Sequence, residues 1–132
     1  MLIDQISVFL ENKSGRLANV TKVLGDNNID ISALSIAHTA NFGVLRLIVN
    51  DPDKAYAILK NEGFTVHRTG VVAVSVEDKP GGLSKVLEIL QENEIGVEYM
   101  YAFVGKSKGK AMVILRVEDT QRAISLLKGV FL

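Results

Sequence analysis

The chain has 132 residues, sets 15 Lys and Arg against 15 Asp and Glu, and contains no cysteine. Charge balance excludes the basic excess that binding along a phosphate backbone requires, and the lack of cysteine excludes disulfides, thiolate metal sites and a Cys nucleophile. The first residues carry an acid and no basic region, and no apolar run approaches the roughly 20 residues of a membrane helix. A soluble cytoplasmic protein is expected, with no nucleic-acid or membrane partner.

Leu2 to Leu10 alternates as a strand, with Ile6, Val8 and Leu10 on one face and Gln5, Ser7 and Phe9 on the other. A turn containing Gly15 follows. Leu17, Val20, Val23 and Leu24 then form one helical stripe, which Asn27-Asn28 is suited to end in a left-handed conformation. Ile29 to about His38 reads as a second strand. A short turn around Asn41 and Gly43 leads to a third strand carrying Leu45, Leu47 and Val49. Asp51-Pro52 is a helix start, an N-cap before proline at the first helical position. Ala55, Ile58 and Leu59 give that helix its apolar side, Gly63 ends it, and Phe64 to His67 reads as a fourth strand.

After Gly70 the pattern restarts. Val72, Val74 and Val76 repeat the phase of Ile6, Val8 and Leu10, and Leu83, Val86, Leu87 and Leu90 make the next helix. Ile95 and Val97 open another strand, a hairpin spans Gly105 to Gly109, and Val113, Leu115 and Val117 match Leu45, Leu47 and Val49. Asp119 matches Asp51 as an N-cap. Only Val130-Phe131-Leu132 remains for a last strand, which should be stunted or absent.

The expected fold class is α+β: two βαββαβ units in tandem, each an antiparallel sheet with both helices on one face. The first domain is expected over residues 1–69 and the second over 70–132. Each is near the size at which a unit can barely bury a stable core alone. Phe9, Leu34, Ile36, Ile48, Met100, Met112 and Ile114 are expected on the sheet faces away from the helices. Apolar residues there need a cover, and the expected cover is the same face of a second copy, giving a homodimer.

The stretch Glu11-Asn12-Lys13-Ser14-Gly15-Arg16-Leu17 returns 66 positions later as Glu77-Asp78-Lys79-Pro80-Gly81-Gly82-Leu83. Each copy lies between a strand and a helix, where unpaired N–H groups form a ready anion site. A carboxylate or phosphate is the chemistry such turns hold. Asn12, Asp30 and Asp78 are candidate acceptors for an ammonium group. Tyr99 and Tyr101 fall at strand spacing, where packing competes with a pocket-lining role.

The doubled turn, each copy followed by a short helix and then Asn-Asn-Ile-Asp-Ile or Glu-Ile-Gly-Val, resembles a tandem ACT-domain protein of the free-standing regulatory type, over nearly all of the chain. The resemblance implies a small-molecule sensor that binds a free amino acid at the junction of its two ACT units and relays occupancy to a metabolic enzyme or another regulatory partner. It implies that Asn12 and Gly15 match the family's ligand-binding Asn and Gly, and that Asp30 matches a polar contact at the start of the second strand. Asp78, Gly81 and Gly96 take those places in the second copy. Ser14 replaces the proline usual in that turn, and Gly96 offers no side chain, so the two sites should be unequal.

Other readings stand beside this one. Gly15 and Gly81 also suit a turn required by the fold alone, and Lys13, Arg16 and Lys79 suit a solvated surface. His38 and His67 stand apart without a metal-ligand pattern. No nucleophile-base or paired-acid signature nominates an enzyme, and Gly105-Lys106-Ser107-Lys108-Gly109 lacks phosphate-loop spacing. No cofactor is expected. The chief alternative is an assembly subunit that binds no ligand and docks a larger protein through its sheet face.

Overall fold

The structure is a computed structural model that describes residues 1–105 and 108–131. Its elements run in the order β1 (Leu2–Glu11), α1 (Arg16–Asp26), β2 (Ile31–His38), β3 (Phe42–Val49), α2 (Pro52–Asn61), β4 (Thr65–Glu77), α3 (Gly82–Glu92), β5 (Val97–Ala102), β6 (Lys110–Val117) and α4 (Thr120–Leu127). Two compact units divide this chain. One is Asp4–Thr69, here the first unit, and the other joins Met1–Ile3 to Gly70–Leu132, here the second.

In the first unit the strand order is β2-β3-β1-β4, with β3 antiparallel to both β1 and β2. Ile6, Val8 and Leu10 of β1 and Leu45, Leu47 and Val49 of β3 turn to one face. There they pack with Val20 and Leu24 of α1 and Ala55 and Leu59 of α2 into a single core. The alternation in each strand and the stripe on each helix put these side chains together, and their burial drives the unit's folding.

The second unit builds the same core from Val72, Val74 and Val76, from Val113, Leu115 and Val117, and from Val86, Leu90, Ala123 and Leu127. Here β6 pairs with both β4 and β5. No strand forms after α4 among the described residues. The Ser75 N–H instead donates to the Phe131 carbonyl at 2.6 Å, and the Ala73 N–H donates to the Met1 carbonyl at 2.8 Å. Leu132 and the hairpin residues Lys106 and Ser107 lie outside the described residues.

Two expectations are corrected. The fourth and fifth predicted strands are one strand, β4, 13 residues long, because Gly70 keeps extended pairing and forms no turn. The face expected for Leu34, Ile36 and Met100 is also wrong. A bulge between Ile31 and Ala33, and its counterpart between Val97 and Tyr99, each insert one residue into the ladder. An extra residue reverses the alternation beyond it. Leu34 therefore pairs with Leu47, Ile36 with Leu45 and Met100 with Leu115, all on the helix-covered face. Of the others, Ile48 and Ile114 do face away from the helices but are buried in the single chain, at 6% and 0% exposure. Phe9 stays 39% exposed, its ring edge-on to His67.

Candidate functional site

Each repeated turn ends in a glycine that N-caps the next helix in a left-handed conformation, Gly15 at φ 88° before α1 and Gly81 at φ 84° before α3. A side chain at that φ would be strained, so glycine is what lets the strand reverse into the helix within four residues. Neither helix has a side-chain cap. The other two do: Asp51 accepts from the Lys54 N–H at 3.2 Å and Asp119 from the Arg122 N–H at 3.1 Å. Beyond the Arg16 and Gly82 N–H groups, which donate to the Lys13 and Lys79 carbonyls, the starts of α1 and α3 thus lack the side-chain acceptor that α2 and α4 carry, and each is polarised positive.

In the first unit a hollow of about 330 Å³ opens beside this turn. Glu11, Asn12, Lys13 and Arg16 line its polar side, and Leu10, Leu17, Ile36, His38 and Gly43 complete it. Leu17 is 40% exposed over the hollow, whereas its counterpart Leu83 packs against the second core. Lys13 pairs with Glu11 at 2.8 Å and Arg16 with the same carboxylate at 3.7 Å. The Lys13 hydrogen bond, more than the charge of Arg16, holds the Glu11 carboxyl below its ordinary 4.5. Two cations and one anion leave the rim with a positive excess. Ser14 is exposed at the tip of the turn.

Asn12 is held by the β2–β3 hairpin. Its Nδ2 donates to the carbonyls of Thr39 at 3.2 Å and Ala40 at 3.4 Å, and its Oδ1 lies 2.9 Å from His38 Nδ1. The ammonium acceptor expected of Asn12 is thus already engaged. His38 and Ile36 were not legible as site residues, because the bulge that turns them to this side leaves no mark in the hydrophobic alternation.

The second turn is built more tightly. Lys79 pairs with Glu77 at 2.7 Å, which holds the Glu77 carboxyl low and the Lys79 ammonium high. The Gly82 N–H donates to the Lys79 carbonyl at 3.0 Å, against 3.4 Å for Arg16 to Lys13. A Cβ on Gly82 would stand 2.0 Å from the Glu77 carbonyl oxygen. That carbonyl crowds the start of α3, where the larger Arg16 keeps the first turn open. Asp78, Pro80 and Gly81 remain exposed on this turn.

The remaining candidates are not gathered with either turn inside their own units. Asp30 lies at the far end of β2 from His38, its N–H donating to Asn50 Oδ1 at 3.0 Å. In the second unit a Cβ on Gly96 would fall 2.2 Å from Glu118 Oε1, so Glu118 occupies the space of the missing side chain. Tyr99 and Tyr101 pair with Arg116 and Ile114 on the face of β5 away from α3 and α4, and both are half-buried. Among the described residues, no group of three or more His, Asp or Glu is placed to hold a metal ion, and no helix is long and apolar enough to cross a membrane.

Two βαββαβ-type units, the second without a last strand among the described residues, each with a glycine-capped helix after its first strand, define a class of two-unit α+β module. A family model described as an ACT domain pair matches residues 1–129, and the chain belongs to that family. Among solved structures it is 48% identical to a protein from Bacteroides thetaiotaomicron, with a TM-score of 0.90 over 97% of this chain and 88% of that one. It also resembles the regulatory subunits of aspartate kinase from Thermus thermophilus and Thermus flavus, each at 14% identity, with TM-scores of 0.69 and 0.61. These matches cover 96% of this chain and 95% and 93% of theirs, and at that identity the likeness is one of fold. No curated protein sequence matches the chain.

Proposed function

We propose that this protein is a non-enzymatic regulatory module, one ACT domain per unit, whose first unit binds a free amino acid in the hollow beside Gly15. The observation that carries this reading is the uncapped start of α1 opening into a lined hollow, while Asp51 closes the start of α2 in the same unit. An α-carboxylate suits the N–H groups of Leu17 and Ala18 together with the positive rim of Lys13 and Arg16. Leu17 and Ile36 supply apolar wall for a side chain. The volume falls in the range of about 300–1,000 Å³ usual for small-molecule sites.

The second turn, Asp78 to Leu83, is the weaker member of the pair, since the Glu77 carbonyl competes for the start of α3. Asp30, Tyr99 and Tyr101 remain in the proposal as groups that another ACT unit would present to a ligand. Occupancy would favour one arrangement of the protein by differential affinity, and a metabolic enzyme or other regulatory partner would read that arrangement.

Amide NMR tests the site. Adding each of the twenty amino acids singly should produce saturable shifts at Gly15 to Ala18 and His38 to Gly43 for at least one of them. Saturable shifts confined to other segments, or none with any amino acid, would overturn the assignment.

A second reading rests on the exposed apolar strip of Leu17, Leu34 and Ile36 in the first unit, 40%, 41% and 39% exposed. In that reading the protein is an assembly subunit, and a second copy or a larger protein covers the strip. The contact would then run along α1 and β2, not over the open sheet face. Light scattering gives the mass in solution, and replacing Leu34 and Ile36 with Ser should lower it if a second copy is the cover.

A further inference from the structure

His38 was not among the candidate site residues, yet it lies in the hollow, and its bond to Asn12 fixes its chemistry. Carbonyl oxygens only accept, so the two carbonyls of Thr39 and Ala40 require the Asn12 amide to present its NH2 group to them. That leaves Asn12 Oδ1 facing His38 Nδ1 at 2.9 Å. An amide oxygen also only accepts, so Nδ1 carries the proton. A neutral imidazole protonated at Nδ1 has a bare lone pair at Nε2. Among the described residues Nε2 makes no hydrogen bond, and the side chain is exposed.

The fold does not require this pair. At the matching position of the second unit stands Val104, 66% exposed, and Asp78 replaces Asn12. The core of the second unit forms without any such bond. The hollow also needs the group. Its other charged residues are Glu11, Lys13 and Arg16, and Glu11 is already shared by the two cations. An ammonium group entering the hollow finds no uncommitted carboxylate on its lining.

We propose that His38, held in the Nδ1–H tautomer by Asn12, accepts a hydrogen bond from the ligand's ammonium group at Nε2 and thereby makes binding in the first unit proton-sensitive. This rests on the amino-acid reading of the hollow. Protonation converts Nε2 from an acceptor into a charged donor, which removes the bond and adds a repulsion. The Glu11 carboxyl is held low by Lys13 and stays ionised across the range in which imidazoles titrate, and a free amino acid keeps both its charges. Of the residues that line the hollow, His38 alone carries an imidazole.

The test is calorimetric titration of the wild-type protein with each of the twenty amino acids near pH 8 and near pH 5.5. With neutral imidazole as the competent form, binding near pH 5.5 should be several-fold weaker than near pH 8. Ring NMR of the ligand-free protein near pH 8 should show His38 protonated at Nδ1, with His67 as the internal comparison. At a pH where ring NMR shows both imidazolium forms, saturating amino acid should deplete that of His38 and leave that of His67 unchanged. An unchanged Kd, a tighter Kd at low pH, or an Nε2–H tautomer at His38 overturns the proposal while leaving the amino-acid site standing. If no amino acid binds at either pH, the amino-acid reading itself fails, and this proposal falls with it.

Discussion

Single glycines in this chain differ in what they permit. Gly82 touches the Glu77 carbonyl so closely that a Cβ there would lie 2.0 Å from its oxygen, so the backbone itself must move to accept alanine. Gly25 sits exposed near the end of α1, and a Cβ there would meet nothing within 4 Å. Gly82→Ala should therefore cost roughly 1–3 kcal/mol, the usual penalty for forcing atoms into filled space. Gly25→Ala should stabilise by about 0.5–1 kcal/mol by removing helix-interior glycine. Urea denaturation of the two variants checks both signs at once. The sequence marks all of these glycines alike. The repeat singles out Gly15 and Gly81 by offset, and each does take positive φ. Nothing in the one-dimensional pattern separates Gly82 from Arg16, which holds the same place in the first turn and leaves it open.

At the scale of elements, alternation and helical stripes read the helices and every strand but β4 within a few residues, because each buried face repeats at the period of its own backbone. What they miss is any place where the period slips. The two bulges after Ile31 and Val97 exchange the faces of Leu34, Ile36 and Met100, and that exchange brings His38 to the hollow. Beyond each bulge the strand carries large or apolar residues on both faces, Ala33 beside Leu34 and Tyr99 beside Met100, so the pattern looks equally good on either face. Likewise β4 runs without a break through Gly70, although the two units do divide between Thr69 and Gly70. Helix starts were more legible, since Asp followed by Pro or by polar residues has a specific backbone partner. Asp51→Ala removes the bond to the Lys54 N–H and should cost about 1 kcal/mol, measured by thermal or urea unfolding. The same change at Asp119 should cost a similar amount, and a change within error at both would show that these caps contribute little to the units' stability.

For the molecule as a whole, the internal repeat reveals a pair of like units but not how far the pair has diverged. The first turn keeps an open helix start, a bridged Glu11, an exposed Leu17 and the Asn12–His38 bond. The second has a crowded helix start, a Leu83 drawn into its core and Val104 in place of His38. Unequal units suit a regulatory module, because a ligand that occupies one site shifts an equilibrium only through its preference for one state. The identity of a ligand is beyond the sequence, since the wall that would face its side chain comes from residues on α1, β2 and β3 that only the fold assembles. The central claim is that the turn at Gly15 holds a free amino acid. A thermal-shift screen of the wild-type chain and the Gly15→Val variant against the twenty amino acids, at millimolar ligand and fixed protein concentration, tests it most directly. The account predicts a rise of several degrees with one or a few amino acids for the wild type, following RT ln(1 + [L]/Kd), and no rise for the folded variant. A flat wild-type profile, or a variant that responds as fully as the wild type, would contradict it.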